Sequence, residues 1–400
     1  MLKIPWHRPK ILDKDFPIVK HQGIFRKQIG VFHGVALIVG MTIGAGVLGI
    51  PYAISQVGLV VGLSYIIGLG LLVIGYNLLI GAIAVRTKEN LQMVGLTRKY
   101  LGVWGEIIMT IVKYTSSAGA MVAYIIGQGV ALSTLFGGSA YLWSIVFFAI
   151  GTFLILNGIN TIKTVDFWLS LGVLAVVIVI AVFSFEHIEL DNLKYYDMAK
   201  MLLPYGVILF AYHGGAAVIE AHSILANRNK TFKTTIIIAG IISMVTYAIF
   251  AIIVLGVTGS STTEIATIGL GQKVGSGMLI FGNIFAVLAM SGSFLTVGLS
   301  VRDSLAWDYK IPGKIAALLV CGLPFVIFLL GLRQFIMAVD LVGGVFVSLE
   351  MLMVILIYWR AKQVSDLDPG KYKLHHTALL MVLLMAALII GTVYSFIKLF

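Results

Sequence analysis

The chain is short of charge, of cysteine and of anything that reads as a soluble domain. Only 11% of its 400 residues are Asp, Glu, Lys or Arg, too few to wet the surface of a soluble fold of this length. Its single cysteine, Cys321, lies inside an apolar run, which excludes a disulfide within the chain. No His/Glu cluster stands at metal-ligand spacing, and neither a nucleophile elbow nor a phosphate loop is present, which speaks against a membrane enzyme and calls for no cofactor. A cleavable signal is not expected, because roughly thirty polar and basic residues precede the first apolar run without a short apolar core or cleavage site. No low-complexity tract stands out either.

What is present is hydrocarbon. Hydrophobic residues make up 60% of the chain. Apolar runs of spanning length recur from end to end, and about eleven membrane spans are expected. They cover 31–55, 58–85, 103–134, 140–157, 166–185, 201–223, 234–258, 276–301, 315–332, 335–359 and 377–398. With the N-terminus inside, Lys194, Lys200, Lys273, Arg333 and Lys398 fall outside, Lys113 falls within a span, and the remaining Lys and Arg fall inside. That asymmetry puts the C-terminus outside. The net charge of +11 therefore reports topology at the plasma (inner) membrane and contact with an anionic inner leaflet through residues 1–30, not a nucleic-acid partner. The polar stretch 86–102 suits a short interfacial helix, and the longest outer connections are 186–200 and 259–275.

Two spans are broken by glycine at matching places in the two halves. The first reads Gly40-Met41-Thr42-Ile43-Gly44-Ala45-Gly46-Val47-Leu48-Gly49-Ile50-Pro51, the second Leu209-Phe210-Ala211-Tyr212-His213-Gly214-Gly215. An unpaired backbone N–H or C=O costs several kcal/mol in hydrocarbon, so such breaks survive where they line a cavity, and a matched pair points to a carrier's binding site near the midplane. Gly44 and Gly46 let a ligand approach bare backbone. Freed N–H groups around Ala45, Gly46 and Val47 favour an anionic group, with a helix dipole behind them. Freed carbonyls at Thr42, Phe210 and Ala211 suit an ammonium. An α-amino acid carries both charges a few ångströms apart. Helix packing through small residues is the plainer alternative. His213, between Tyr212 and Gly214, either contacts substrate and titrates, imidazole being the side chain that does so nearest neutrality, or is a spacer satisfied by a backbone carbonyl. Phe210, Tyr212 and Tyr124 are candidates for an aromatic-tolerant pocket, with lipid-facing or bundle-filling roles as the alternative.

The stretch Gly44-Ala45-Gly46-Val47-Leu48-Gly49-Ile50-Pro51-Tyr52-Ala53 resembles the first-helix signature of the amino acid–polyamine–organocation superfamily. Three later segments bring the resemblance closer to the amino acid/auxin permeases and the bacterial tyrosine/tryptophan permeases: Leu203-Pro204 through Gly215, Tyr247 through Gly259, and Ser293 through Leu299. Phe335 to Gly344 is similar to the tenth helix of the latter type, and the pattern around Ala123-Tyr124-Ile125 favours Tyr124 as a pocket residue. The resemblance implies an all-α membrane protein with a LeuT-type 5+5 inverted repeat. Its first repeat would occupy 31–185 and its second 201–359, with helices 1 and 6 broken and a peripheral helix at 377–398. It also implies secondary active transport of an amino acid, neutral or aromatic as the best expectation. A non-transporting nutrient sensor or germinant-receptor subunit on the same fold is the rival.

Ionisable residues inside spans default to functional hypotheses. Lys113 lies about ten residues, or roughly 15 Å, into span 3 from inside, and Glu350 lies at the same depth in span 10, so the two are candidates for an ion pair, static or part of a coupling relay. Asp340, nearer the outside, is a candidate for an outer gate. Glu220 is a fourth such residue, with Glu106 and His222 nearer the cytoplasmic ends. The coupling ion is H⁺ or Na⁺. LeuT-type sodium sites use carbonyls matching Gly40 and Ile43 plus two hydroxyls on helix 8. Ser293 matches one, but its neighbour is Gly292, and Ser291 stands one step further. Some proton-coupled relatives place a lysine in helix 5. The stretch Phe167–Val173 has none, and Lys113 is a possible substitute from another helix.

Overall fold

Proline and glycine decide where the helices begin and bend. The computed structural model describes residues 31–89, 91–157, 172, 175–225, 229–370 and 372–397. The basic segment 1–30, Lys163, Arg228, Lys398 and all of the Phe167–Val173 stretch but Gly172 lie outside the described residues.

The first span opens as α1 (Val31–Thr42), breaks at Ile43 and Gly44, tightens into a 3-10 turn at Ala45–Gly49 and resumes as α2 (Ile50–Ser55). The two parts meet at 47°. Pro51 sits in the first turn of α2, where the N–H it lacks would have no helical partner anyway. The chain continues through α3 (Leu59–Arg86), α4 (Met93–Phe136), α5 (Ala140–Asn157) and α6 (Ala175–His187). Within α4, Gly102 has φ of +76°, a conformation glycine adopts without penalty, and it turns Met93–Leu101 away from the rest of the helix. That is the short helix expected within 86–102.

The second break separates α7 (Pro204–Ala211), started by Pro204, from α8 (Gly215–Ile224), with Tyr212, His213 and Gly214 between them. Then come α9 (Asn229–Thr258), the short α10 (Ala266–Val274), α11 (Ser276–Asp308) and α12 (Gly313–Leu329). Next, α13 (Phe335–Leu341) passes through a π turn at Val342–Val347 into α14 (Ser348–Gln363), and α15 (Thr377–Ile397) closes the series. Among the described residues, seven helices are long and apolar enough to cross a bilayer, and the bent α1–α2 pair makes an eighth. Helices α6 and α12 are shorter apolar ones. Strand structure among the described residues is limited to one isolated bridge, Gly58 to Tyr196. Helices α5 and α15 expose Leu142, Ile150, Phe153, Leu379, Leu383 and Ile390, apolar surface of the kind a bilayer covers.

At the centre, α7 lies on the π turn backbone to backbone. A Cβ on Gly206 would strike Asp340, and one on Gly343 would strike the Gly206 carbonyl and come within 2.8 Å of the Phe210 nitrogen. Glycine is what lets the two main chains approach this closely. Tyr205 and Ser348 share a 2.8 Å hydroxyl contact beside them, and Ser348 also donates to the Gly343 carbonyl at 3.3 Å. A π turn adds a residue to the helical count, so α14 is rotated relative to α13, and this rotation sets the direction in which Glu350 points.

Candidate functional site

The two breaks touch each other. A Cβ on Gly46 would stand 2.7 Å from the Cα of Ala211, 3.1 Å from its Cβ and 3.2 Å from the Phe210 ring. A Cβ on Gly214 would meet the Thr42 hydroxyl and lie 3.2 Å from the Cα of Thr42. Gly46 is therefore packed directly against Phe210 and Ala211, and Thr42 against Gly214, as a shared site requires.

The freed backbone groups have partners in this conformation. The Tyr247 hydroxyl donates to the Ala211 carbonyl at 2.6 Å and to the Thr42 carbonyl at 3.0 Å. The Gly44 N–H also reaches the Thr42 carbonyl, at 3.0 Å, and the His213 N–H donates to the Phe210 carbonyl at 3.1 Å. On the donor side, the Ala45 N–H meets the Ser293 hydroxyl at 3.3 Å, and the Val47 N–H meets the Gly44 carbonyl at 3.3 Å. Sequence reasoning did not single out Tyr247. A tyrosine on a neighbouring apolar helix carries no signal that its hydroxyl will end at two helix termini.

The aromatic trio splits. Tyr124 and Phe210 face each other with ring centroids 6.4 Å apart and planes tilted by 56°. Tyr212 turns away, donating to the Ile66 carbonyl at 2.9 Å and packing on Tyr247 at 4.9 Å. Tyr212 thus braces α3 and α9, which leaves Tyr124 and Phe210 as the pair beside Gly46.

Lys113 and Glu350 meet as their equal depth suggests. The ammonium lies 3.1 Å from Oε1 and 3.4 Å from Oε2 of Glu350. His213 joins them, its Nε2 3.1 Å from Oε2, so a proton on that nitrogen donates to the carboxylate. The Glu350 side chain is 1% exposed, against 26% for Lys113 and 21% for His213. One buried anion is held between two donors, one on α4 and one inside the second break. Asp340 lies elsewhere, roughly 15 Å along the same span from Glu350, with its carboxylate against Gly206 of α7.

The four candidate sodium contacts do not converge. Ser293 faces the first break, close to the Cα of Gly44 and bonded to Ala45. Ser291 instead accepts from the Gln128 amide at 2.7 Å. Two residues on a helix differ in direction by about 200°, so Ser291 and Ser293 occupy opposite faces of α11. Gly40 and Ile43 remain beside the break, at the end of α1.

Burial gives the site a direction. Every residue from Ala45 to Ile50 and from Pro204 to Tyr212 is buried, whereas Gly40, Met41, Gly44, His213, Ala216 and Glu220 are half-buried. The half-buried polar residues Lys113, Ser117, Ser293 and Thr296 continue that second set. Around the two breaks, the residues next to α2 and α7 are more deeply buried than those next to α1 and α8.

The profile of the tryptophan/tyrosine permease family matches residues 27–395. The chain belongs to that family. The permease is 26% identical over 383 residues to tyrosine-specific transport system 1 of Haemophilus influenzae, a match covering 88% of this chain and 94% of that protein. Its fold is that of the LeuT-type transporters. It superposes on MhsT in complex with L-phenylalanine with a TM-score of 0.65 at 14% identity, over 92% of this chain and all of that one. It also superposes on the inward-facing conformation of Mhp1 with a TM-score of 0.65 at 13% identity, over 93% and 91% of the two chains. The permease is a multi-pass membrane transporter of amino acids and not an enzyme.

Proposed function

We propose that this permease takes up neutral or aromatic amino acids across the plasma membrane by cation-coupled alternating access, with the proton favoured over sodium. The zwitterion sits between Thr42–Val47 and Phe210–Gly214. Its carboxylate faces the N–H groups at Ala45–Val47, its ammonium faces the carbonyls of Thr42, Phe210 and Ala211, and its side chain faces Tyr124 and Phe210. The observation that carries this reading is the contact of the two breaks at Gly46–Ala211 and Thr42–Gly214, which gathers both sets of backbone dipoles at one place. The names of its relatives support the aromatic preference: the Haemophilus protein is a tyrosine-specific transport system, and MhsT is described with L-phenylalanine.

The reading assigns about eleven spans in two inverted repeats, 31–185 and 201–359, with 377–398 peripheral. It puts the N-terminus in the cytoplasm and the C-terminus outside. On this reading the half-buried α1 and α8 side faces the cytoplasm. The Lys113–Glu350–His213 cluster favours the proton, because it brings a titratable ring from the substrate site onto a buried carboxylate. The divergence of Ser291 from Ser293 counts against sodium.

The test is uptake of labelled amino acids into proteoliposomes by wild type and Gly46→Val. The variant should still insert yet lose uptake, since a side chain there collides with Ala211 and Phe210. Unchanged uptake would remove the site from this position. A wild-type protein that binds amino acids but moves none would instead indicate a sensor.

A further inference from the structure

We infer that the Tyr247 hydroxyl is an internal stand-in for the substrate's ammonium, filling that subsite when no amino acid is bound. The inference rests on the zwitterion reading above and names what the ammonium must displace. Helices α1 and α7 both end at the breaks, so the carbonyls of Thr42 and Ala211 sit at the negative ends of two helix dipoles. A cation is the ligand such a pair of carbonyls favours. What they hold is the proton of one phenol, shared at 2.6 Å with Ala211 and 3.0 Å with Thr42.

The other partners of these carbonyls cannot easily leave. The Gly44 N–H on Thr42 and the His213 N–H on Phe210 are backbone bonds that shape the breaks themselves, and releasing them means further unwinding. Tyr247 is the partner that can be exchanged without altering the chain path of either break. Its residue is fully buried and its ring packs on Tyr212, so the hydroxyl is held in place, not found there by chance rotation. A buried phenol without an acceptor is costly, and so are two buried helix-end carbonyls without a donor. One three-centre bond meets both needs. An ammonium, with three donors and a full charge, satisfies the carbonyls better.

A ligand lacking the amino group has nothing to offer these carbonyls and leaves Tyr247 where it is. The exchange therefore predicts an effect selective for the amine. In detergent-solubilised, full-length protein, binding of L-tyrosine and of its des-amino analogue 3-(4-hydroxyphenyl)propionate is measured for wild type, Tyr247→Phe and Gly46→Val. Tyr247→Phe removes the competitor while keeping the ring. L-Tyrosine should bind about two- to tenfold more tightly, the factor set by the net worth of one hydrogen bond, and the analogue should be unchanged. Equal change for both ligands, no change for either, or weaker binding of L-tyrosine alone would each overturn the proposal.

A second measurement keeps the hydroxyl and so does not depend on how that variant folds. With 3-fluorotyrosine placed at position 247, the fluorine resonance should move when L-tyrosine is added and stay in place with the analogue. A resonance that moves with both or with neither counts against the exchange. The Gly46→Val arm separates this claim from the one beneath it. If that variant binds L-tyrosine like wild type, or if wild type binds none, the zwitterion site itself is wrong and the exchange falls with it. If Gly46→Val loses binding while Tyr247→Phe shows no selectivity for the amine, only Tyr247 is reassigned.

Discussion

Lys113 and Glu350 stand 237 positions apart in the chain and form an ion pair at 3.1 Å between α4 and α14. Removing Lys113 leaves the buried Glu350 carboxylate without its ammonium, and losing one partner of a buried pair costs about 3–5 kcal/mol. Lys113→Met and Glu350→Gln should each lower the thermal unfolding midpoint in detergent. The double variant should be more stable than the sum of the two losses predicts. Strictly additive losses in this cycle would mean that the observed contact contributes nothing.

His213 gives a different kind of prediction. Its ring bridges the second break to Glu350, which makes it the residue at which to test for a proton path. His213→Gln keeps a side-chain donor of similar reach but cannot titrate. This variant should retain exchange of internal for external amino acid and lose accumulation driven by a pH gradient. If gradient-driven accumulation survives at the wild-type level, His213 is not on the proton path.

For sodium, the discriminating residue is Ser293. Its hydroxyl accepts from the Ala45 N–H, and the other serine of the candidate pair is committed to Gln128. Uptake under a pH gradient should proceed without sodium, and Ser293→Ala should show no change in sodium response. A strict sodium requirement that disappears in Ser293→Ala would reverse the choice of ion.

The loop after α14 supplies a pH prediction from outside the membrane-spanning segments. Asp366 forms an ion pair with Lys99, accepts from the Lys88 N–H at 3.1 Å, and its own N–H donates to the Arg86 carbonyl at 3.2 Å. Partial burial works against the charged forms, but the Lys99 and Lys88 bonds outweigh it for Asp366 and hold its carboxyl below the ordinary value of 3.8. For Lys99, the Asp366 and Glu89 carboxylates likewise outweigh burial and hold the ammonium above 10.5. A depressed carboxyl contributes stability above its unfolded value and loses it as pH falls through the folded one. A raised ammonium contributes below its unfolded value and loses it as pH rises through the folded one. The tie is thus complete between about pH 4 and pH 10 and weakens outside that window. Hydrogen exchange at Asp366 and Leu367 should quicken on acidification below that window beyond the intrinsic trend, and Asp366→Asn should remove the difference.

The breaks at 40–51 and 209–215 were legible in the sequence because glycine inside hydrocarbon has few explanations. The depth match of Lys113 and Glu350 was legible for the same reason, since charge there is rare. Direction around a helix was less so. Ser291 and Tyr212 lie in the expected stretches but point to Gln128 and Ile66. Glu350 follows a π turn, so counting 3.6 residues per turn from Asp340 gives the wrong face, and its meeting with His213 could not be read off. Tyr247 illustrates the limit most clearly. Its hydroxyl completes two main-chain termini supplied by other helices, a relationship that exists only once all three are packed.

The contact of Gly206 with the π turn bears on how the permease moves. Interlocked side chains can trade rotamers while helices slide, but here two bare main chains press on each other, and the Ser395 hydroxyl of α15 fills the space beside Gly344. No compliant layer remains between them. Helix α7 and the α13–α14 span are thereby held together, with α15 against them. Any bending at Tyr212–Gly214 then works against the contact of His213 with Glu350. A change in that single contact would change how freely the joint turns.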